Sequence, residues 1–292
     1  MLEVAHLVRR FGEQVAVNDV SFTVAPGALT GFVGENGAGK TTTMRMIMGV
    51  LAVHGGEVRW DGRPVTAADR RTFGYMPEER GLYPKQPVVD QLVYLARLRG
   101  MSAAAARVRA GELLRRFDLT ERGKDKLESL SLGNQQRVQI AAAMIAEPAA
   151  LILDEPFSGL DPVAVDSMAE LLREYAAQGV PVLFSSHQLD LVERLCDQLV
   201  ILASGTVVGQ GSVEELRAAN STRYRLVLGS DPAWLAGFAG IRVLETNGAR
   251  ALLELDGATT DELLRAALEH GSVRELAEVR PSVAEIYREV TA

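Results

Sequence analysis

The chain has 292 residues, 47% hydrophobic and 24% charged, with a net charge of -7. That length suits one large and one small domain, and the acidic balance argues against wholesale attraction to nucleic acid or anionic lipid. The single Cys196 excludes an internal disulfide and fits a reducing cytosol. No apolar run approaches the roughly 18 residues that span a bilayer, and residues 1–6 lack the charged and apolar regions of a signal peptide. Passage across a membrane is therefore expected to need another chain.

Residues 2–8 and 16–24 alternate apolar with polar positions and predict two strands joined by a polar turn. Phe11 stands alone in that turn. An adenine ring needs an aromatic face, so Phe11 is the candidate stacking partner. The apolar run 28–33 leads into Gly34, Glu35, Asn36, Gly37, Ala38, Gly39, Lys40, Thr41 and Thr42, followed by a helical segment at 43–48. G-x-x-x-x-G-K-T between a strand and a helix is a phosphate-binding loop. Its glycines let successive amides turn inward around phosphate oxygens, and the helix adds the positive end of its dipole. Lys40 reaches the outer phosphates and the Thr41 hydroxyl ligates Mg²⁺, so the segment is predicted to bind a nucleoside triphosphate.

Strands are predicted over 54–62 and 73–76, the latter stopped by Pro77. Residues 88–117 follow one helical pattern, with Leu92, Leu95 and Leu98 on one face and Leu113, Leu114 and Phe117 on another. Its many arginines read as solvated helix faces. A helix from 138 to 146 precedes the buried-strand run 151–153, which ends in Asp154 and Glu155. Asp154 is placed to hold Mg²⁺, directly or through water, and Glu155 to polarise the attacking water. After a helix at 162–178 and a strand at 180–185 comes His187, on the edge where open α/β sheets bind ligands. There it would hydrogen-bond a γ-phosphate. A helix at 189–196 and a strand at 199–203 close the large domain. Beyond about 218 the order is strand, short helix, two strands around Asn247 and Gly248, helix, strand and final helix. That order predicts a small ferredoxin-like module.

Together, the segment from Gly34 to Thr41, Leu130-Ser131-Leu132-Gly133-Asn134-Gln135, the run 151–155, the stretch from Ser158 to Asp161, and His187 resemble an ordered motif set. They are similar to the phosphate loop, signature, Walker B carboxylates, D-loop and switch histidine of ATP-binding-cassette (ABC) ATPases, over most of residues 1–218. The resemblance implies an α/β P-loop NTPase: a RecA-like core with an antiparallel β-subdomain and a helical subdomain inserted at about 85–150. A small α+β, ferredoxin-like domain would occupy 219–292. ATP and Mg²⁺ are the implied ligands. Lys40, Glu155 and His187 would be catalytic; Thr41, Glu78 and Asp154 would hold the metal; residues 34–42 and Phe11 would bind the nucleotide.

The family likeness also implies a head-to-tail dimer, with a second copy or a paralogous chain. In it Ser131, Gly133 and Gln135 of one subunit meet the ATP held by the other, and Asp161 sits at the seam. Ser131 and Gly133 precede a predicted helix, so hydroxyl, amides and dipole can face a γ-phosphate. Within the family the chain looks most like ATPases of sodium and drug exporters, attached to the cytoplasmic face of the membrane by a separate permease. Leu82, Tyr83 and Val88 would offer that partner apolar contact, and no nucleic acid is expected. Arg280-Pro281-Ser282 with Glu285-Ile286-Tyr287 resembles a domain appended to some of these ATPases, whose role stands open between dimer support, regulation and spacing.

Two departures from the family pattern stand out. Leu132 and Asn134 replace the Gly and Gln of the common signature, and Glu78 stands where the family has Gln. A carboxylate there can meet Mg²⁺ but cannot donate a hydrogen bond, so Glu78 is expected to ligate the metal. The competing readings are a non-transport ABC ATPase acting in assembly or on nucleic acid, and a different P-loop class, a GTPase or kinase. The first would carry a second cassette, coiled coils or a basic surface; a GTPase would carry a guanine-reading Asn-Lys-x-Asp. This chain has one cassette, no long coiled coil, a net charge of -7 and no Asn-Lys-x-Asp.

Overall fold

The computed structural model describes residues 1–79, 81–218 and 222–291. It divides into two compact units, Met1–Val213 and Glu214–Val290. The sequence boundary expected at 218/219 abuts residues 219–221, which lie outside the described residues.

The first unit opens with β1 (Leu2–Phe11), β2 (Gln14–Val24) and β3 (Leu29–Val33), then α1 (Lys40–Ile47), β4 (Gly55–Trp60) and β5 (Arg63–Pro64). Phe11 thus ends a strand rather than standing in a loop. Next come α2 (Ala67–Thr72) and β6 (Phe73–Met76). α2 was not foreseen, although Thr66 and Asp69 form a complete capping box at its start. The helical stretch expected over 88–117 consists of two helices, α3 (Val88–Leu98) and α4 (Ala103–Arg116). Gly100, at φ +94, ends the first, and the Ser102 hydroxyl caps the second by accepting from the Ala105 amide at 3.2 Å. Leu98 consequently turns outward, 65% exposed.

α5 (Leu132–Met144) starts earlier than expected, so Gly133 lies inside its first turn rather than before it. β7 (Ala150–Leu153), α6 (Pro162–Ala177), β8 (Val182–Ser186), α7 (Leu189–Leu195), β9 (Gln198–Ala203) and β10 (Thr206–Gly211) complete the unit, and α8 (Val213–Ala218) follows.

Two sheets form from these strands: a four-stranded antiparallel one ordered β2-β1-β4-β5, and a six-stranded one ordered β10-β9-β3-β8-β7-β6. In the larger sheet β9, β3, β8, β7 and β6 run parallel, with β10 antiparallel at the edge. Every residue of β3, β7 and β8 is buried, as parallel strands covered on both faces require. One core joins the sheets: Phe22 of β2 meets Phe32 of β3 at 5.1 Å between ring centroids, and Trp60 of β4 meets Phe73 of β6 at 4.9 Å. Burying a side chain as completely as Phe32 or Phe73 stabilises by about 1.5–3 kcal/mol. The carboxyl ends of β3, β6, β7 and β8 therefore lie along one rigid sheet edge, each followed directly by a segment carrying candidate site residues.

The second unit contains β11 (Arg223–Leu228), a 3₁₀ turn (Pro232–Gly237), β12 (Ile241–Asn247), β13 (Arg250–Leu255), α9 (Thr260–Glu269), β14 (Val273–Val279) and α10 (Val283–Thr291). Its four strands are antiparallel in the order β12-β13-β11-β14. That is the ferredoxin-like order, with the first crossover helix shortened to 3₁₀. Leu226, Leu228, Leu235, Leu253 and Leu263 form its own core.

Candidate active site

Beyond Val33 the chain makes a loop that only glycine can complete. A Cβ on Gly34 would lie 2.4 Å from the Leu202 carbonyl oxygen, and one on Gly39 2.6 Å from that of Ala16. Gly37 and Gly39 hold φ of +85 and +104, where side-chain-bearing residues are strained. Gly39 is also the N-cap of α1 and offers no side chain to the helix's first amides, which leaves those donors for an anion. The buried Lys40 ammonium spans the loop, donating to the carbonyls of Gly34 at 2.6 Å and Glu35 at 3.1 Å. Burial pushes its pKa down, opposed by Glu155, Asp154 and Glu78.

A cavity of about 210 Å³ sits on this loop, lined by Ala16, Asn36, Gly37, Gly39, Lys40, Thr41, Thr42, Glu78, Asp154 and Glu155. Glu35 and Ala38 are not among its lining residues: the Glu35 carbonyl accepts from Lys40 and from the Ala38 amide, and the Ala38 carbonyl accepts from the Gly205 amide. They brace the loop.

At the end of β7 the two carboxylates part. Asp154 Oδ1 accepts from the Ser185 hydroxyl at 2.6 Å, while its Oδ2 is buried without a partner. The Glu155 amide donates to the same Ser185 oxygen at 2.8 Å. Its carboxylate lies 3.0 Å from His187 Nδ1. Burial raises the Glu155 pKa, countered by the hydrogen bond and charge of His187 and by Lys40. Across the cavity the Thr41 hydroxyl donates to Glu78 Oε2 at 3.3 Å. A buried carboxylate oxygen without a partner, beside a hydroxyl and a second carboxylate, is a hard-oxygen donor set that fits Mg²⁺.

A second cavity, of about 240 Å³, adjoins these groups and is lined by Asn36, Glu78, Leu132, Gln136, Glu155, Ser158, Gly159 and His187. Ser131, Gly133, Gln135, Asp161 and Phe11 line neither cavity. Ser131 is exposed and caps α5 by accepting from the Asn134 amide. Gln135 is buried, and its amide donates to the Leu130 carbonyl at 2.8 Å; the side chain faces the protein rather than a ligand arriving from outside. Asp161 is exposed and caps α6 by accepting from the Ala164 amide at 2.9 Å. Phe11 is 46% exposed, with the Arg9 guanidinium 4.8 Å from its ring centroid. Ala16, on β2, lines the first cavity.

Residues 17–158 match the ABC transporter family, and residues 211–291 match the C-terminal domain of DrrA1-3-like ATP-binding proteins. The chain is 40% identical over 291 residues to an uncharacterised ABC transporter ATP-binding protein of Bacillus subtilis, YhaQ, covering 99% of this chain and 98% of that one. This chain belongs to the ABC transporter ATP-binding proteins. Among the family's members it is also 31% identical to the linearmycin resistance ATP-binding protein LnrL of Bacillus subtilis, over 90% of this chain and 83% of the relative. It is 35% identical to the Nod factor export ATP-binding protein I of Burkholderia orbicola, over 74% and 72%. A solved ATP-binding subunit of an ABC transporter superposes with a TM-score of 0.69 at 36% identity, over 75% of this chain and 92% of that one.

Two contacts of this ABC cassette escaped the sequence reading. Ser185 bonds the Asp154 carboxylate and the Glu155 amide, and its only signal was a hydroxyl following the apolar run Val182, Leu183 and Phe184. Gln136 donates through Nε2 to the carbonyls of Glu155 at 2.9 Å and Pro156 at 3.1 Å. Nothing local in the sequence marks it.

Proposed function

We propose that this chain hydrolyses ATP as the motor subunit of an ABC exporter, closing with a second copy or a paralogous chain around two ATP molecules. A separate transmembrane subunit, to which it attaches at the cytoplasmic face of the membrane, would be its load. The observation that carries this reading is the Glu155–His187 pair at 3.0 Å: Glu155 lines the phosphate-loop cavity, and both residues line the cavity that adjoins it.

The glycine amides and Lys40 receive the triphosphate. Thr41, Asp154 and Glu78 would hold Mg²⁺, which when bound neutralises charge on the phosphate oxygens. Glu155, its pKa raised by burial, orients the attacking water and accepts its proton. An ionised carboxylate only accepts hydrogen bonds, so His187 Nδ1 carries the proton it shares with Glu155. Donation by the other ring nitrogen to a γ-phosphate then requires the imidazolium form.

The exposed Ser131 at the tip of α5, which lines neither of these two cavities, supports a shared site completed by the other copy. Two relatives named for resistance and for export support the exporter reading. Among the described residues no helix is long and apolar enough to cross a membrane. For the permease, Tyr83, Tyr94 and Leu98 are 56%, 50% and 65% exposed on α3 and the loop before it. Val88, expected in that surface, is fully buried and belongs to the core. The test is Glu155→Gln in the full chain with Mg²⁺ and ATP, followed by sedimentation. A stable dimer is expected; a monomer refutes the shared site.

A further inference from the structure

We infer that Gln136 is a positioning residue for Glu155, holding the turn that aims the carboxylate. The inference rests on the hydrolysis reading above and adds to it a residue outside the motifs that suggested it.

Glu155 has φ +52, a conformation that a side-chain-bearing residue keeps only where its surroundings impose it. Three groups do so. The Ser185 hydroxyl accepts from its amide at 2.8 Å. His187 meets its carboxylate at 3.0 Å. The third hold is on the far side of the residue, where both hydrogens of the Gln136 amide are engaged: one carbonyl, of Glu155, lies 2.9 Å from Nε2 and the next, of Pro156, 3.1 Å. Ser185 fixes where the turn begins and Gln136 where it leaves.

A half-buried glutamine near a helix start is often only a packing residue, and the chemistry of the contact separates the two roles. Packing depends on shape, which glutamate reproduces. Positioning depends on donation, which an ionised carboxylate cannot provide; facing two carbonyl oxygens, it repels both. Gln136→Glu therefore preserves the volume and reverses the interaction.

Full-length Gln136→Glu, Gln136→Ala and Glu155→Gln are compared by steady-state ATP hydrolysis, calorimetric ATP affinity and melting temperature. Both Gln136 variants are expected to lose about 10- to 100-fold in kcat, the scale of a misplacement near 1 Å, with ATP affinity within about twofold of the parent. Gln136→Glu is expected to fall at least as far as Gln136→Ala. Neither should further reduce the residual rate of Glu155→Gln, because a residue acting through Glu155 then has nothing to act through. A Gln136→Glu protein with parental kcat overturns the inference, as does a full additional loss in the Glu155→Gln background. If Gln136→Glu melts below the assay temperature, Gln136→Ala decides by the same kcat-against-affinity split. An active Glu155→Gln defeats the hydrolysis reading itself. An inactive Glu155→Gln beside a fully active Gln136→Glu defeats only the role given to Gln136.

Discussion

Gly39 tests the phosphate loop at its least forgiving point. Its φ of +104 lies outside the left-handed well that other residues visit, and an added Cβ would come 2.6 Å from the Ala16 carbonyl oxygen. That oxygen is main chain of β2 and cannot swing aside as a side chain would. Gly37 is the internal control: φ is +85, but nothing lies within 4 Å of its added Cβ. Gly37→Ala thus carries conformational strain alone, about 1–3 kcal/mol, and Gly39→Ala carries strain plus a backbone overlap. At about 1.4 kcal/mol per decade, strain expressed wholly in binding weakens ATP by about 5- to 150-fold. The cost can surface in either of two places. A loop that keeps its shape lowers the melting temperature; a loop that relaxes away from it loses nucleotide. Calorimetric ATP titration and thermal unfolding of the full-length variants must therefore be read together, and their combined loss should be larger for Gly39→Ala. If Gly39→Ala matches the parent in both measurements, the steric reading of the loop is wrong.

His187→Ala should slow hydrolysis by about 10²–10³-fold, the usual effect of losing one transition-state group, while ATP still binds; an unchanged rate removes His187 from the site. Glu78→Gln exchanges a carboxylate for an amide against the Thr41 hydroxyl, and should raise the Mg²⁺ concentration needed for half-maximal ATPase activity. A superimposable Mg²⁺ titration would show that Glu78 does not meet the metal. In the second unit, the backbone hydrogen bond from Ser282 chiefly holds the Glu285 carboxyl below its usual pKa, helped by the Ser282 hydroxyl. A depressed folded pKa stabilises above the unfolded carboxylate pKa of about 4.3, and that stability fades as pH falls from there through the folded value. Glu285→Gln, which removes the carboxylate that both donors hold, should flatten this acid-side loss in melting temperature, and parallel curves for parent and variant would refute it.

Local chemistry made much of this legible. The strand Phe73–Met76 was read end to end because Pro77 stops it, and the phosphate loop was readable from its Gly-Lys-Thr spacing between a strand and a helix. Elements without periodicity were lost. α2 has six residues and buries none, so only its capping box could have revealed it. β10 contains Gly209 and Gly211 and becomes a strand through its ladder with β9. The break at Gly100 and Ser102 was written in the sequence but overridden by leucine spacing on either side. Of the residues gathered around the cavities, Lys40, Thr41, Asp154 and Glu155 lie in sequence motifs, whereas Ser185 and Gln136 reach them from elsewhere. Ser185 and Gln136 meet Glu155 from 30 and 19 positions away, and such contacts follow from strand order rather than from spacing.

The same distinction bears on why Glu155 is strained at all. Successive side chains on an extended strand fall on opposite faces of the sheet, so Asp154 and Glu155 would part to opposite sides had β7 simply continued. Instead the chain turns at Glu155, with φ +52, and both carboxylates line one cavity with Lys40 and Thr41. Adjacent residues can then face one triphosphate yet take different partners, Ser185 for Asp154 and His187 for Glu155. A left-handed turn is the backbone's means of placing two neighbouring acids on one edge, which accounts for a strained residue at the centre of the site.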